Sequence, residues 1–85
     1  MDELTLDGNA AAGALEQLFG RDVTAAHGMC AGCGAREAVA SVRVFRSAGL
    51  VLRCPSCDTV LATIVESVSR TWVSLRGLRS LELEA

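Results

Sequence analysis

The chain has 85 residues, of which 51% are hydrophobic and 4% aromatic, with a formal net charge of −2. This length suits one domain, and a core with so few large side chains commonly needs a disulfide or a metal ion for stability. No apolar run reaches the 18 residues of a membrane-spanning helix, and the acidic start is unlike a signal peptide. We therefore expect a cytoplasmic protein that does not contact a membrane.

The charges are distributed unevenly along the chain. The first twenty residues carry four carboxylates and no basic residue, whereas all eight basic residues of the chain are arginines that follow this segment. The remainder is only mildly positive, which differs from the polybasic surfaces of typical nucleic-acid-binding proteins.

The pattern predicts an N-terminal helix over residues 10–19. Apolar side chains recur there with the spacing of one helical face. Asp7 or Asn9 can cap its start, and Gly20 can end it in the left-handed conformation. The predicted stripe comprises Ala11, Ala14, Leu15, Leu18 and Phe19.

From residue 22 onward the pattern becomes typical of strands. Between residues 42 and 45, valines alternate with Arg43 and Phe45, which predicts one buried and one outward face. We expect strands at residues 23–27, 37–46, 50–53, 59–68 and 71–75, with a tight turn at 47–49.

The four cysteines form two pairs with the pattern C-x2-C-x20-C-x2-C. This spacing is typical of four-cysteine zinc sites, because two tight turns at hairpin tips can direct four sulfurs at one ion. The predicted ligands of one tetrahedral Zn²⁺ ion are Cys30, Cys33, Cys54 and Cys57. A reducing compartment favours metal binding over disulfides.

The residues around the cysteines agree with such turns. Gly34 can adopt a positive φ angle, and Pro55 restricts the turn after Cys54 while leaving the following amides available to sulfur. Asp58 stands where the equivalent glycine is expected, and aspartate tolerates the left-handed region.

Three other interpretations of the cysteines remain open. A rubredoxin-like iron site shares the spacing but usually has an aromatic-rich surrounding shell. A redox motif at residues 54–57 requires a following helix, whereas the sequence there predicts a strand. Two disulfides require an oxidising compartment.

The expected fold is a small metal-bound α+β domain, with an N-terminal helix and an antiparallel zinc β-ribbon carrying two CxxC knuckles. Residues 1–21 form an acidic segment and a helix packed on the ribbon. Residues 22–85 form the zinc ribbon with a C-terminal extension.

The C-terminal extension contains an apolar strip. We expect these side chains to cover the core, with an exposed docking surface as the alternative. The strip comprises Trp72, Leu75, Leu78, Leu81 and Leu83. His27 precedes the first cysteine pair, and we expect it to be an ordinary side chain at a strand end.

Several stretches outside the cysteine pairs resemble a family of short, uncharacterised bacterial zinc-ribbon proteins. They are Leu6-Asp-Gly-Asn-Ala10, Leu52-Arg-Cys-Pro-Ser-Cys-Asp58, Arg70-Thr-Trp72 and Leu75-Arg-Gly-Leu-Arg-Ser-Leu81. The resemblance covers nearly the whole chain and implies metal binding by the four cysteines. It implies no activity, because the family is a domain of unknown function.

The sequence contains no recognisable catalytic set, and a four-thiolate zinc site has no open position for water. We therefore expect a non-enzymatic protein. The leading hypothesis is a small adaptor that docks on a protein partner or forms a homodimer. The alternatives are a nucleic-acid-binding regulatory ribbon and, more weakly, an iron-containing electron carrier.

Overall fold

The computed structural model describes residues 5–46 and 49–83, and these form one α-helix, two 3-10 segments and eight strands. The larger antiparallel sheet has the strand order β1-β4-β5-β6-β7, and the smaller has the order β3-β2-β8. In chain order the elements are β1 (Thr5–Asp7), a 3-10 segment (Gly8–Ala11), α1 (Ala12–Phe19), β2 (His27–Cys30), β3 (Arg36–Ala38), a second 3-10 segment (Val39–Ser41), β4 (Arg43–Arg46), β5 (Leu50–Arg53), β6 (Val60–Glu66), β7 (Thr71–Ser74) and β8 (Leu78–Glu82).

The predicted helix is present, but its start differs. The Asp7 carboxylate accepts a hydrogen bond from the Asn9 amide at 3.1 Å, and residues 8–11 then wind as a 3-10 segment rather than as α-helix. Gly8 is packed so closely on the second 3-10 segment that a side chain would collide with the Val39 carbonyl group. At the other end, Gly20 adopts φ +71° and closes the helix as expected.

The predicted strand at residues 23–27 is wrong. The Asp22 carboxylate accepts hydrogen bonds from the Thr24 amide at 2.9 Å and hydroxyl at 2.7 Å, and the Ala26 amide donates to Val23. These local bonds turn the chain, so that β2 begins only at His27. Side chains of this type commonly compete with strand pairing.

The predicted strand at 37–46 is divided. Val39 and Ala40 donate their amides to the carbonyl groups of Ala26 and Thr24, and the chain crosses here from the smaller sheet to the larger one. The alternation within β4 is confirmed, since Val44 is buried and Arg43 is exposed.

The later strands are closer to expectation. β5 has the predicted bounds, β6 and β7 are slightly shorter than predicted, and residues 47–48 of the predicted turn lie outside the described residues. Strand β1 precedes the helix and pairs with β4, and neither β1 nor β8 was expected. Both strands pair with segments that are distant in sequence, and such pairing leaves little local signal.

The core lies on one face of the larger sheet. Val44, Leu52 and Ile64 are at most 6% exposed, and the cluster also includes Ala11 and Leu15 from the helical segments. Burial of one such large aliphatic side chain contributes about 1.5–3 kcal/mol. Leu78 and Leu81 of β8 pack against the same cluster, so this strand brings the smaller sheet onto the core. Within the described residues, no helix has the length and apolarity required to cross a membrane.

Candidate metal centre

The four cysteines lie in the loops of two antiparallel hairpins. Cys30 ends β2 and Cys33 lies in the turn towards β3, while Cys54 follows β5 and Cys57 lies in the turn towards β6. Their sulfur atoms all lie within 4.8 Å of one another. The structure therefore brings together the complete set of cysteines that the sequence spacing singled out.

The sulfur distances suit a single ion. Cys30 Sγ lies 3.6 Å from Cys57 Sγ, and Cys33 Sγ lies 3.7 Å from Cys54 Sγ. A regular tetrahedron with metal–sulfur bonds of about 2.3 Å has edges of about 3.8 Å. These contacts join residues of different hairpins, so an ion bound there would link the two loops.

Backbone amides surround the first cysteine of the first loop. Cys30 donates its amide to Ala35 and accepts at its carbonyl from Gly34, each at 2.9 Å. Its sulfur accepts from the Gly32 amide at 3.3 Å and the Cys33 amide at 3.5 Å. The positive φ predicted for Gly34 is confirmed at +77°. Such amide donors stabilise the thiolate form that binds a metal.

The second loop repeats this arrangement. Cys54 donates its amide to Thr59 at 2.8 Å and accepts from Asp58 at 2.9 Å, and its sulfur accepts from the Ser56 amide at 3.4 Å. The φ angle of Asp58 is +66°, which confirms that this aspartate occupies the left-handed region. Pro55 has no amide hydrogen, but the next amide still reaches sulfur.

The cysteines of each pair differ in burial. Cys30 and Cys54 are 2% and 1% exposed, whereas Cys33 and Cys57 lie at the surface. The Cys33 amide, followed by the Gly32 amide, lowers the pKa of Cys30 to about 6 despite desolvation. The Thr59 hydroxyl and then its amide lower the pKa of Cys57.

Cys33 behaves in the opposite way. The Ala35 amide lowers its pKa, but the neighbouring Cys57 thiol, desolvation and the other thiols outweigh this effect and raise the pKa of Cys33 to about 12. The pKa values of Cys30 and Cys33 are therefore shifted in opposite directions. A divalent cation removes this difference by neutralising thiolate charge.

A family described as one of unknown function, DUF6510, matches residues 2–85. The chain belongs to the DUF6510 family. This confirms the resemblance to a family of unknown function over nearly the whole chain. No curated protein and no solved structure matches this DUF6510 chain.

Gly77 is a supporting residue of this DUF6510 chain that the sequence analysis did not single out. Its carbonyl accepts from the Ala31 amide at 2.8 Å, and its amide donates to Leu61 at 3.1 Å. A side chain at this position would collide with the Val60 carbonyl group. The loop between β7 and β8 therefore joins the first cysteine loop to β6. The available signal was an isolated glycine between two apolar segments.

Thr59 and Ser56 also connect the two loops. The Cys57 sulfur lies 3.0 Å from Thr59 Oγ1, and a side chain at Gly32 would contact the same hydroxyl. Ser56 Oγ donates to Glu37 Oε2 at 3.0 Å. These polar contacts align the second loop with the hairpin that carries the first.

Arginines on β3 and β5 form ion pairs with carboxylates. Arg36 pairs with Glu82 at 2.7 Å, and Arg53 pairs with Asp58 at 3.6 Å. Arg43 points outward from β4, and its cross-strand neighbour in β1 is the acidic Asp7. Arg43 is also the cross-strand neighbour of Arg53 in β5.

The C-terminal apolar strip is divided between core and surface. Leu78 and Leu81 pack against the core, as expected. Trp72 and Leu83 are 54% and 41% exposed, so the expectation that they cover the core is wrong. Leu75 is 43% exposed but lines an apolar cavity together with Leu15 and Leu78.

Proposed function

We propose that this DUF6510 protein binds one Zn²⁺ ion through Cys30, Cys33, Cys54 and Cys57 and is a small zinc-ribbon adaptor. The observation that carries this proposal is the cluster of four sulfurs within 4.8 Å, contributed by two hairpin loops. Four soft sulfur ligands at near-tetrahedral spacing suit zinc, and each CxxC loop then acts as a zinc knuckle. The proposed location is the cytoplasm, where thiols stay reduced.

The proposed role of the metal is structural. A set of four thiolates completes the coordination of zinc and leaves no position for a substrate or water. Zinc binding in small peptides contributes about 10–16 kcal/mol, which is comparable to the whole stability of a small domain. The ion then stabilises the arrangement of the two hairpins, and the protein has no catalytic activity.

Iron in the same site is a weaker alternative. Rubredoxin-like sites are usually surrounded by aromatic side chains, but Trp72 is opposite Val65, at the end of β6 remote from the cysteine loop. A visible absorption spectrum distinguishes the metals, because zinc thiolates are colourless in this region and ferric thiolates are not.

Metal content tests the zinc proposal directly. Protein purified without added metal is expected to contain one zinc per chain, and Cys54→Ser is expected to contain much less. Ser41→Ala is a suitable control, since this exposed hydroxyl donates to the Ala38 carbonyl group and is remote in sequence from both cysteine pairs. A full zinc content in Cys54→Ser would contradict the proposed ligand set.

The adaptor proposal is supported by exposed apolar side chains that the fold does not cover, including Trp72 and Leu75. Affinity capture of the zinc-loaded protein followed by mass spectrometry is expected to recover a specific protein partner. Binding to mixed DNA and RNA at low salt tests the nucleic-acid alternative, because phosphate contacts weaken steeply as salt rises. Tight, salt-sensitive binding would favour that alternative over the adaptor.

A further inference from the structure

Strand β7 forms an open edge of the larger sheet. It pairs with β6 on one side, and among the described residues no strand pairs with its other side. The β6–β7 register is regular, without a bulge. An edge of this kind presents unpaired amide and carbonyl groups, to which another extended chain can add.

Two of the usual protections against strand addition are absent from this edge. Its sequence, Thr71-Trp-Val-Ser74, contains no charge and no proline. Trp72 on one face is opposite the exposed Val65, and Val73 on the other face is 41% exposed. Among the described residues, five of nine large exposed apolar side chains lie in the β6–β7 hairpin or directly after it: Val65, Val68, Trp72, Val73 and Leu75.

Arginines stand at both ends of the strand. Arg70 precedes β7 and Arg76 follows it, and neither forms an ion pair within the part of the chain described here. The nearest carboxylate along the hairpin is Glu66, which is opposite Thr71 on the side already paired with β6. The free edge is therefore apolar in the middle and positive at both ends.

These charges discriminate between possible occupants. Antiparallel pairing of two β7 strands around a twofold axis would place Arg70 of one copy near Arg76 of the other. Like charges that face each other across an interface disfavour association. A strand with carboxylates at both ends instead gains two complementary pairs, which favour that partner over self-pairing.

We infer that the β7 edge binds an extended, apolar segment of a partner protein that carries acidic residues on both sides. The segment adds to the larger sheet as a sixth strand. Main-chain hydrogen bonds supply much of the affinity, Trp72 covers alternate side chains of the segment, and Arg70 and Arg76 select its acidic ends. This inference rests on the proposed function, because it names the docking surface and the chemistry of the partner.

Trp72 provides the readout, since it is the single tryptophan of the chain. The probe is the synthetic peptide Glu-Glu-Val-Thr-Val-Thr-Val-Glu-Glu, added to zinc-loaded full-length protein. Strand addition removes Trp72 from water, so its emission is expected to shift to shorter wavelength and saturate. A peptide with lysine at the four acidic positions is expected to produce no saturable shift.

Charge reversal locates the binding surface. The double variant Arg70→Glu/Arg76→Glu is expected to raise the Kd for the acidic peptide by roughly tenfold or more, because two attractive charge pairs become repulsive. Arg43→Glu/Arg46→Glu on β4 has the same change in net charge, and its Kd is expected to stay within about threefold of the original. Circular dichroism and zinc content establish that both variants are folded.

If the variants do not fold, the unaltered protein still permits a test of the binding surface. In amide-resolved NMR the acidic peptide is expected to perturb residues 71–74 more than β1, the opposite edge of the sheet. Equal binding of the lysine peptide, equal losses in both double variants, or perturbation confined to β1 would each overturn the inference. Self-association that buries Trp72 without peptide would also overturn it.

Failure of the inference is distinguishable from failure of the proposed function. A partner captured equally by the original protein and by Arg70→Glu/Arg76→Glu would refute β7 docking and leave the adaptor proposal intact. Purified protein without zinc would refute the zinc proposal independently of any peptide result.

Discussion

Gly34 and Asp58 occupy equivalent positions in the two cysteine loops, each four residues after the first cysteine of its pair, with φ angles of +77° and +66°. Each donates its amide to the carbonyl group of that cysteine at 2.9 Å. The loops thus share one backbone conformation although they differ in sequence. Left-handed backbone costs an ordinary L-residue about 1–2 kcal/mol.

The first prediction concerns these two positions. Asp58→Gly is expected to preserve or raise stability by up to about 1 kcal/mol, because relief of strain offsets loss of the exposed ion pair with Arg53. Asp58→Val and Gly34→Val are expected to lower stability by about 1–2 kcal/mol or more, since β-branched residues strongly disfavour this conformation. Urea unfolding of zinc-loaded protein measures the differences. Equal stability of the glycine and valine variants at position 58 would contradict the strain argument.

The second prediction compares two helical glycines. Gly8→Ala is expected to destabilise by about 1–3 kcal/mol, because the added methyl group collides with the Val39 carbonyl in a packed region. Gly13→Ala is expected to stabilise by about 0.5–1 kcal/mol, since this position in α1 has open space around it. Thermal unfolding distinguishes the two. A stabilising Gly8→Ala would show that the two 3-10 segments do not pack as described.

The third prediction concerns Gly77, which joins the first cysteine loop to β6 through Ala31 and Leu61. Gly77→Ala is expected to displace this loop and release zinc to a competing chromophoric chelator faster than the original protein does. Ser80→Ala in β8 is the control, because Ser80 is exposed and its side chain makes no hydrogen bond recorded among the described residues. An unchanged release rate in Gly77→Ala would show that this loop does not support the metal centre.

The fourth prediction concerns the ion pair between Arg36 and Glu82, which spans from β3 to β8 across β2. Both side chains are more than half exposed, so a double-mutant cycle is expected to give a coupling of only about 0.2–1 kcal/mol. Replacement of both residues by alanine, together with each single variant, completes the cycle. A coupling of several kcal/mol would mean that this pair contributes far more to the smaller sheet than its exposure indicates.

The fifth prediction concerns removal of the metal. A strong chelator is expected to unfold most of residues 22–75 and so to abolish most of the strand signal in circular dichroism, because the proposed ion links the two loops. The zinc content is measured in the same sample. An unchanged spectrum after confirmed metal removal would show that the apolar core alone maintains the fold.

Local features were predictable from the sequence. The two-residue gap within each cysteine pair, the positive φ angles at Gly34 and Asp58, and the helix end at Gly20 each depend on residues within a few positions of one another. Strand β5 was also predicted with its observed bounds. In these cases the residue type and its immediate neighbours are enough to select the backbone conformation.

Other features were decided by tertiary structure. The turn after Asp22 replaces a predicted strand, and β1 forms only because β4 is available to pair with it. Leu78 and Leu75 look alike in sequence, yet β2 draws Leu78 into the core and leaves Leu75 exposed. The sequence by itself determined the cysteine set and the conformation of its two loops. Only the folded chain determined which apolar residues remain at the β7 edge, because sheet pairing between distant segments carries no local signature.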